Sequence, residues 1–353
     1  MKEEGVLVFN VGSSSIKYKL FSGEKLLEYG KYERLKTIKD YEKSIKEIFK
    51  KIEPEKISLI IHRVVHGGEL NHPEKINNKI KNEIKKFSEF APLHNPNQLR
   101  VIELCEKYKK EQYAVFDTMF FSEIPEKTKI YSIPKTISKK FKIRRYGFHG
   151  LSHEFVSRNL KGKTIVCHLG SGTSISAIID GKPIDTSMGF TPLEGIMMGT
   201  RAGTIDPGII LFLQKEGYNV EEILTKKSGL KGISGYNDFR DIRTKLSKDK
   251  NCKLAYEMFE YQIIKKIGSY ISAMEGINNL IFTGAIGENV PKVRKEICKS
   301  LIYIGAKIDN KKNKKNSEII SSKSSKIKIL VKQTNEEKMA LEKVLEFLRW
   351  KYQ

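Results

Sequence analysis

The sequence predicts an α/β protein built from two related halves. Three observations lead there. At 353 residues, the chain is longer than a single hydrophobic core usually serves. Short apolar runs alternate with stretches of helical periodicity along it. One phrase, an apolar run, a glycine-serine turn and a second apolar run, occurs twice, around Gly12 and around Gly170.

Val6 to Phe9 is an apolar run, Gly12-Ser13-Ser14-Ser15 a turn, and Ile16 to Phe21 alternates in part, so the opening reads as strand, tight turn, strand. Tyr41 to Ile52 and Asn97 to Tyr108 place apolar residues at helical spacing. Tyr113 to Phe116 is strand-like and ends at Asp117. From Thr164 to Ile179 the opening phrase returns, with His168-Leu169-Gly170-Ser171-Gly172 at its turn. Phe259 to Ile277 is the longest helical pattern. It leads into a strand at Leu280 to Phe282 and a turn at Gly284-Ala285-Ile286-Gly287. Lys307 to Asn316, the densest basic run, reads as a loop. Glu336 to Trp350 is an amphipathic helix, with Thr334 and Asn335 as its cap and two acids in its first turn.

Composition narrows the function. The net charge is +23, yet the lysines are scattered along every segment rather than gathered with aromatics. A solvated basic surface that attracts anionic substrates is therefore expected, not a nucleic-acid interface. No apolar run approaches the roughly 20 residues that span a bilayer. The opening Met1-Lys2-Glu3-Glu4 runs straight into a strand pattern, so a cytoplasmic location without a membrane partner is expected. Cys105, Cys167, Cys252 and Cys298 are far apart, which fits buried thiols rather than a zinc site or disulfide framework.

The candidate chemistry is phosphate chemistry. A glycine-serine turn after a strand aims backbone N–H groups and hydroxyls at phosphate oxygens. Two such turns, with Gly284 to Glu288 after a later strand, point to a nucleotide. Arg63 and Arg201 each sit in a glycine-rich phrase, where a planar guanidinium suits carboxylate or phosphate better than packing. His66, His94, His149 and His168 lie in compact Gly- or Pro-containing phrases. His149 and His153 have i, i+4 spacing, but no Glu follows the first, so a zincin motif is absent. Asp117 and Glu336 are carboxylates of the kind that hold a hard cation such as Mg²⁺.

Together these phrases resemble the acetate kinases. The likeness runs from Val8 to about Glu337. It rests on long matches such as His62 to Glu69, Arg144 to His153, Asp185 to Arg201 and Phe282 to Asn289. The resemblance implies two duplicated actin-like, ribonuclease H-like domains flanking a nucleotide cleft. One domain would span 1–119 and be completed by the final helix at 337–353; the other would span 120–336. It implies reversible transfer of the ATP γ-phosphoryl to acetate, giving acetyl phosphate and ADP. Mg²⁺ is the implied cofactor, with Mn²⁺ as a substitute, and the implied assembly is a homodimer. By likeness, Asn10 and Glu336 place the metal, Asp117 and His149 are catalytic, and Arg63 and Arg201 hold the acyl carboxylate and the phosphoryl group. Val65, Leu93, His94, Phe148 and Pro192 line the acyl site. Lys17 and His168 to Gly172 (including Leu169, Gly170 and Ser171) follow the phosphates. Asp238, Phe239 and Arg240, with Gly284, Ala285, Ile286, Gly287 and Glu288, approach the adenosine.

The departures from the family pattern concern the nucleotide. Ser171 replaces an asparagine, Thr204 an acid before Ile-Asp-Pro, and Ala285 a glycine; Gln333 stands where proline is common. A propionate kinase and a pyrophosphate-dependent enzyme are the alternatives within this chemistry. An actin-like scaffold ATPase would keep the phosphate turns but would not need Arg63 and Arg201.

Overall fold

The computed structural model describes residues 5–351, in two compact units. The first takes residues up to Ser122, then Phe148–Phe155, and everything from Asn335 onward; the second takes Glu123–Gly147 and Val156–Thr334.

The first unit carries a six-stranded sheet. Its strands are β1 (Gly5–Val11), β2 (Ser15–Ser22), β3 (Lys25–Glu33), β4 (Ile57–Val64), β5 (Glu74–Lys75) and β6 (Glu111–Phe116), in the order β3-β2-β1-β4-β6-β5. β1 to β3 form an antiparallel meander, and β4 and β6 extend it in parallel. The second unit holds β7 (Lys163–Leu169), β8 (Thr173–Ile179), β9 (Lys182–Thr186), β10 (Asn279–Thr283) and β11 (Lys328–Val331). Its order, β9-β8-β7-β10-β11, repeats β3-β2-β1-β4-β6, again with an antiparallel meander extended by two parallel strands. The duplication read from two turns is therefore a duplication of whole topology, and each turn joins the first two strands of its sheet.

Crossover helices also correspond. Ile38–Ile52 connects β3 to β4, and Lys250–Ala273 lies between β9 and β10. The first begins with a capping box, Thr37 against Asp40, which fixes its start ahead of the apolar pattern. The second starts nine residues before the expected Phe259, because the Asp249 carboxylate caps Asn251 and Cys252. Asn95–Glu106 starts with Pro96 near its N-terminus. Two expected non-helical segments fold as short helices. Gly284–Asn289 turns at once after β10, and Asn310–Lys314 is capped by Asp309 within the basic run.

The final helix, Glu336–Lys351, packs Met339, Ala340, Leu341 and Val344 into one core with Val8, Ile61, Val64 and Phe116 of the first sheet. Phe148 and His149 also group with the first unit, not with a second domain starting at 120 as expected. Chain order hides this. The Gly150 N–H donates to the Asp117 carbonyl at 3.1 Å, and a Cβ on Gly150 would overlap that carbonyl. Leu151, just beyond, is buried in the first unit's core.

His62 on β4 is sealed in the first unit. It stacks on Phe9 at 5.6 Å and bonds Gln112 Oε1 at 2.7 Å, and burial pulls its pKa down to about 4. The unfolded chain therefore binds the extra proton at higher pH than the folded one. Stability is expected to fall as pH drops from about 6.5 toward 4, by up to about 3 kcal/mol. Chemical denaturation across that range, compared with His62→Gln, measures this. An acid limb unchanged by the substitution would refute it.

Candidate active site

Strand register builds the first cluster. Asn10 on β1 pairs with Arg63 on β4, and Val64 pairs with Phe116, the last residue of β6. Asn10, Arg63 and Asp117 thus stand side by side at the carboxyl ends of three neighbouring parallel strands, where open α/β sheets hold their ligands. The Asp117 N–H donates to the Val64 carbonyl at 3.0 Å, so the aspartate continues the sheet geometry past the strand.

Arg63 is held on every side. Its Nε and Nη2 donate to the two oxygens of Asp117 at 2.8 and 2.7 Å, a bidentate fork. Its Nη1 donates to Asn10 Oδ1 at 2.9 Å and to the Glu336 carboxylate. Burial opposes the charge on Arg63, but Asp117 and Glu336 outweigh it and raise its pKa. Burial pushes the Asp117 carboxyl up; Arg63 and the His149 backbone N–H pull against that, while Glu336 adds to it.

The cluster extends to residues that no single motif marks. Asn10 Nδ2 donates to Glu336 at 2.9 Å and to Glu337 at 2.7 Å. Ser152 Oγ donates to Glu336 at 2.6 Å. Lys19 bridges Glu337 at 3.0 Å and donates to Asn335 Oδ1 at 2.7 Å. Lys17 pairs in register with Asn10 across the hairpin, and its side chain is exposed.

Among the described residues, no group of three or more His, Cys, Asp or Glu side chains is arranged to hold a metal. Magnesium asks for less, one or two carboxylates with water and substrate phosphates. Here three carboxylates, Asp117, Glu336 and Glu337, are paired with two cations, Arg63 and Lys19. That donor set suits a hard divalent cation.

Of the expected acyl-site residues in this unit, Val65, just past β4, and Phe148 are buried, His94 is half-buried and Leu93 is 36% exposed. Two buried amides fix the backbone there. Gln98 accepts from Val65 N–H at 2.9 Å and donates to the Val11 carbonyl, while Asn95 accepts from His66 N–H at 3.0 Å and donates back to its carbonyl. His66 packs edge-on against Phe148 at 5.2 Å. His149 has a left-handed backbone, φ 58°, just before the Gly150–Ser157 helix. Pro192 falls in the second unit.

The second unit contains a cavity of about 650 Å³. Of the expected nucleotide residues, Gly170, Ser171, Asp238, Phe239, Arg240, Ala285 and Ile286 line it. Asn237, Arg243, Leu230, Asn289 and Gly199, which sequence reasoning did not single out, line it too. His168, Leu169, Gly172, Gly284, Gly287 and Glu288 do not. Leu169 is core, and the Glu288 carboxylate turns back to accept the Gly284 N–H at 2.9 Å, holding the turn rather than facing the cavity. Phe239 forms a firm wall because Tyr256 and Phe259 back it at 5.5 and 5.3 Å. Asp238 caps the helix Phe239–Lys245 and pairs with Arg240 at the rim.

Arg201 contrasts with Arg63. Its Nη1 donates to the Pro192 carbonyl at 2.7 Å, and among the described residues it has no carboxylate partner. Burial alone pulls its pKa down to about 10, so it remains a cation at neutral pH. Arg201 is half-buried, and a guanidinium drawn out of water without an anion carries a cost that an anionic ligand would offset.

Relatives share this chain nearly end to end. It matches the profile of the Acetokinase family over residues 23–342. It is 43% identical to the acetate kinase of Carboxydothermus hydrogenoformans, covering 97% of this chain and 99% of that one. It is 41% identical to the acetate kinase of Thermotoga maritima, covering 95% and 96%. Among solved structures, the Porphyromonas gingivalis acetate kinase superposes with a TM-score of 0.88 at 34% identity over 98% of this chain and 100% of that one. A Francisella tularensis propionate kinase gives 0.88 at 37% identity over 96% and 98%. With its duplicated actin-like topology, the chain belongs to the acetokinase family.

Proposed function

We propose that this protein is an acetate kinase, moving the terminal phosphoryl of ATP to the carboxylate of acetate and back by direct in-line transfer. The observation that carries the reading is Arg201, a half-buried cation that, among the described residues, has no carboxylate partner, in the unit that holds the nucleotide cavity. Acetate is already ionised at neutral pH, with a pKa near ~4–5 like the side-chain acids, so no general base is required. The difficulty is bringing one anion to another, and positioned positive charge answers it. Arg201 meets the phosphoryl. Arg63 receives the acyl carboxylate, aligned by its fork on Asp117. This gives Asp117 an orienting role without proton transfer. His149 donates to the phosphoryl in flight. Val65, Leu93 and Phe148 surround the acyl methyl.

Mg²⁺ would be held by Asn10 and Glu336, and when bound it supplies charge neutralisation at the phosphates. The apolar cavity walls of Leu230, Phe239 and Ile286 favour a nucleoside over bare pyrophosphate as donor. Ser171 and Ala285 line that cavity and act on donor affinity alone. Removing the Glu288 anchor by Glu288→Ala is expected to raise the KM for ATP about three- to tenfold and leave that for acetate unchanged, which initial-rate kinetics measure.

A hydroxamate assay for acyl phosphate, varying acid (formate, acetate, propionate, butyrate) and donor (ATP, GTP, pyrophosphate), tests the proposal. Absence of acetyl phosphate with every donor would overturn it. Faster turnover of propionate would move the reading to a propionate kinase, a discrimination worth only ~1–3 kcal/mol per methylene.

Homodimerisation is part of the proposal. The helix Pro207–Lys215 has no buried residue, and Ile209, Leu211 and Phe212 are exposed on it. A helix carrying an unbroken apolar run such as Ile209 to Leu213 is normally covered, and a self-complementary patch is what a two-fold dimer uses. Sedimentation equilibrium giving a single-chain mass would count against it. Among the described residues no helix is long and apolar enough to cross a membrane.

A further inference from the structure

We infer that Tyr131, Arg145 and Glu194 are positioning residues that set the guanidinium of Arg201 through the loop 189–195. The inference rests on Arg201 serving the transfer reaction.

The Glu194 carboxylate is gripped from two sides. Arg145 Nη2 donates to its Oε1 at 2.9 Å, and the Tyr131 hydroxyl donates to its Oε2. The same hydroxyl accepts the Phe190 N–H at 2.9 Å, so one phenol joins a side chain and a backbone group of the loop. Arg145 lies over the Tyr131 ring at 5.3 Å. It also donates from Nη1 to the carbonyls of Thr186 and Met188 at 3.2 and 3.3 Å, and from Nε to that of Thr128 at 3.2 Å. These bonds anchor both the loop and the strand leading into it. The phenol and carboxylate meet against the backbone of Gly189, where a Cβ would overlap both.

The loop's far end is pinned as well. The Gly195 N–H donates to Thr204 Oγ1 at 3.1 Å, and the Thr204 N–H returns to the Gly195 carbonyl at 2.8 Å. Thr204 is one of the positions where this chain departs from its family's usual acid, and here its hydroxyl closes the loop. Between the two anchors lies Pro192, whose carbonyl is the acceptor for Arg201 Nη1. None of the three named residues lines the nucleotide cavity. Their effect must therefore fall on the step Arg201 serves and not on nucleotide affinity.

The test is a double-mutant cycle. Tyr131→Phe keeps the ring and removes the hydroxyl; Glu194→Gln keeps shape and removes charge. Each is expected to lower kcat for acyl phosphate formation by about 10- to 100-fold, the scale of a small misplacement of a catalytic group. The KM for ATP should stay within about twofold, because only an interaction specific to the transition state is weakened. In an Arg201→Lys background, the same substitutions should have little further effect, since groups acting as one unit are not additive. Equal losses in both backgrounds, or a parallel rise in the KM for ATP with a lower melting temperature, would reduce the trio to ordinary structural support and overturn the inference. Near-normal turnover of Arg201→Lys and Arg201→Ala would instead refute the functional reading beneath it.

Discussion

Arg201→Ala is expected to lower kcat by about 10³-fold, the scale seen when phosphoryl-transfer arginines are lost. The melting temperature should hold or rise. The wild-type side chain is half-buried with a carbonyl as its partner and partial burial lowers its pKa, so the native fold bears a cost for keeping this charge. Removing it relieves that cost and leaves no carboxylate behind, because none was paired with it. The KM for ATP should change less than kcat, since Arg201 does not line the nucleotide cavity. Stopped-time hydroxamate assays and calorimetry on one preparation measure all three quantities. A variant with wild-type kcat would remove Arg201 from the mechanism.

Arg63→Ala should behave in the opposite way toward stability while losing a comparable factor, about 10³, in turnover. Asp117 is fully buried, and its carboxylate loses a bidentate partner. Breaking a buried pair from one side typically costs about 3–5 kcal/mol. With Arg63 gone, the folded-state pKa of Asp117 rises further above its unfolded value. The penalty is therefore small at acid pH, grows between the wild-type value and the higher one, and levels off above it. Arg63→Ala combined with Asp117→Ala should regain most of the stability and none of the activity. Chemical denaturation at two pH values distinguishes these variants. Equal stability of wild type and Arg63→Ala at neutral pH would show that the fork is not structural.

Much of this site could be read from the sequence, and the reason is local. Asp117 directly follows a strand-like run and Arg63 stands in a glycine-rich phrase, so both are marked by their neighbours, whereas Asn10 is marked only by the family likeness. The turns at Gly12 and Gly170 are equally visible, and they point to the repeat of topology. Lys19, Ser152 and Glu337 were not singled out, because their partners are set by sheet register and by a helix hundreds of residues away. Tyr131 and Glu194 form their bond 63 positions apart in the chain, which no spacing rule predicts. The sequence places the whole Gly284 turn against the nucleotide, yet Glu288 turns inward, because a helix start needs an acceptor for its N–H groups. The early start of Lys250–Ala273 is invisible to apolar periodicity for a related reason: a cap, not a stripe, begins it.

The final helix has a consequence for how the molecule is made. Val8, Ile61 and Val64 lie under Met339 and Leu341, so strands made early stay uncovered until a helix hundreds of residues further along the chain has been translated. Glu336, which anchors Arg63 and Asn10, arrives with that helix. Until then the first sheet exposes an apolar face and its arginine lacks one of its counter-ions. A premature stop shortly before Thr334 would leave the second sheet whole and deprive the first of both its cover and its chemistry.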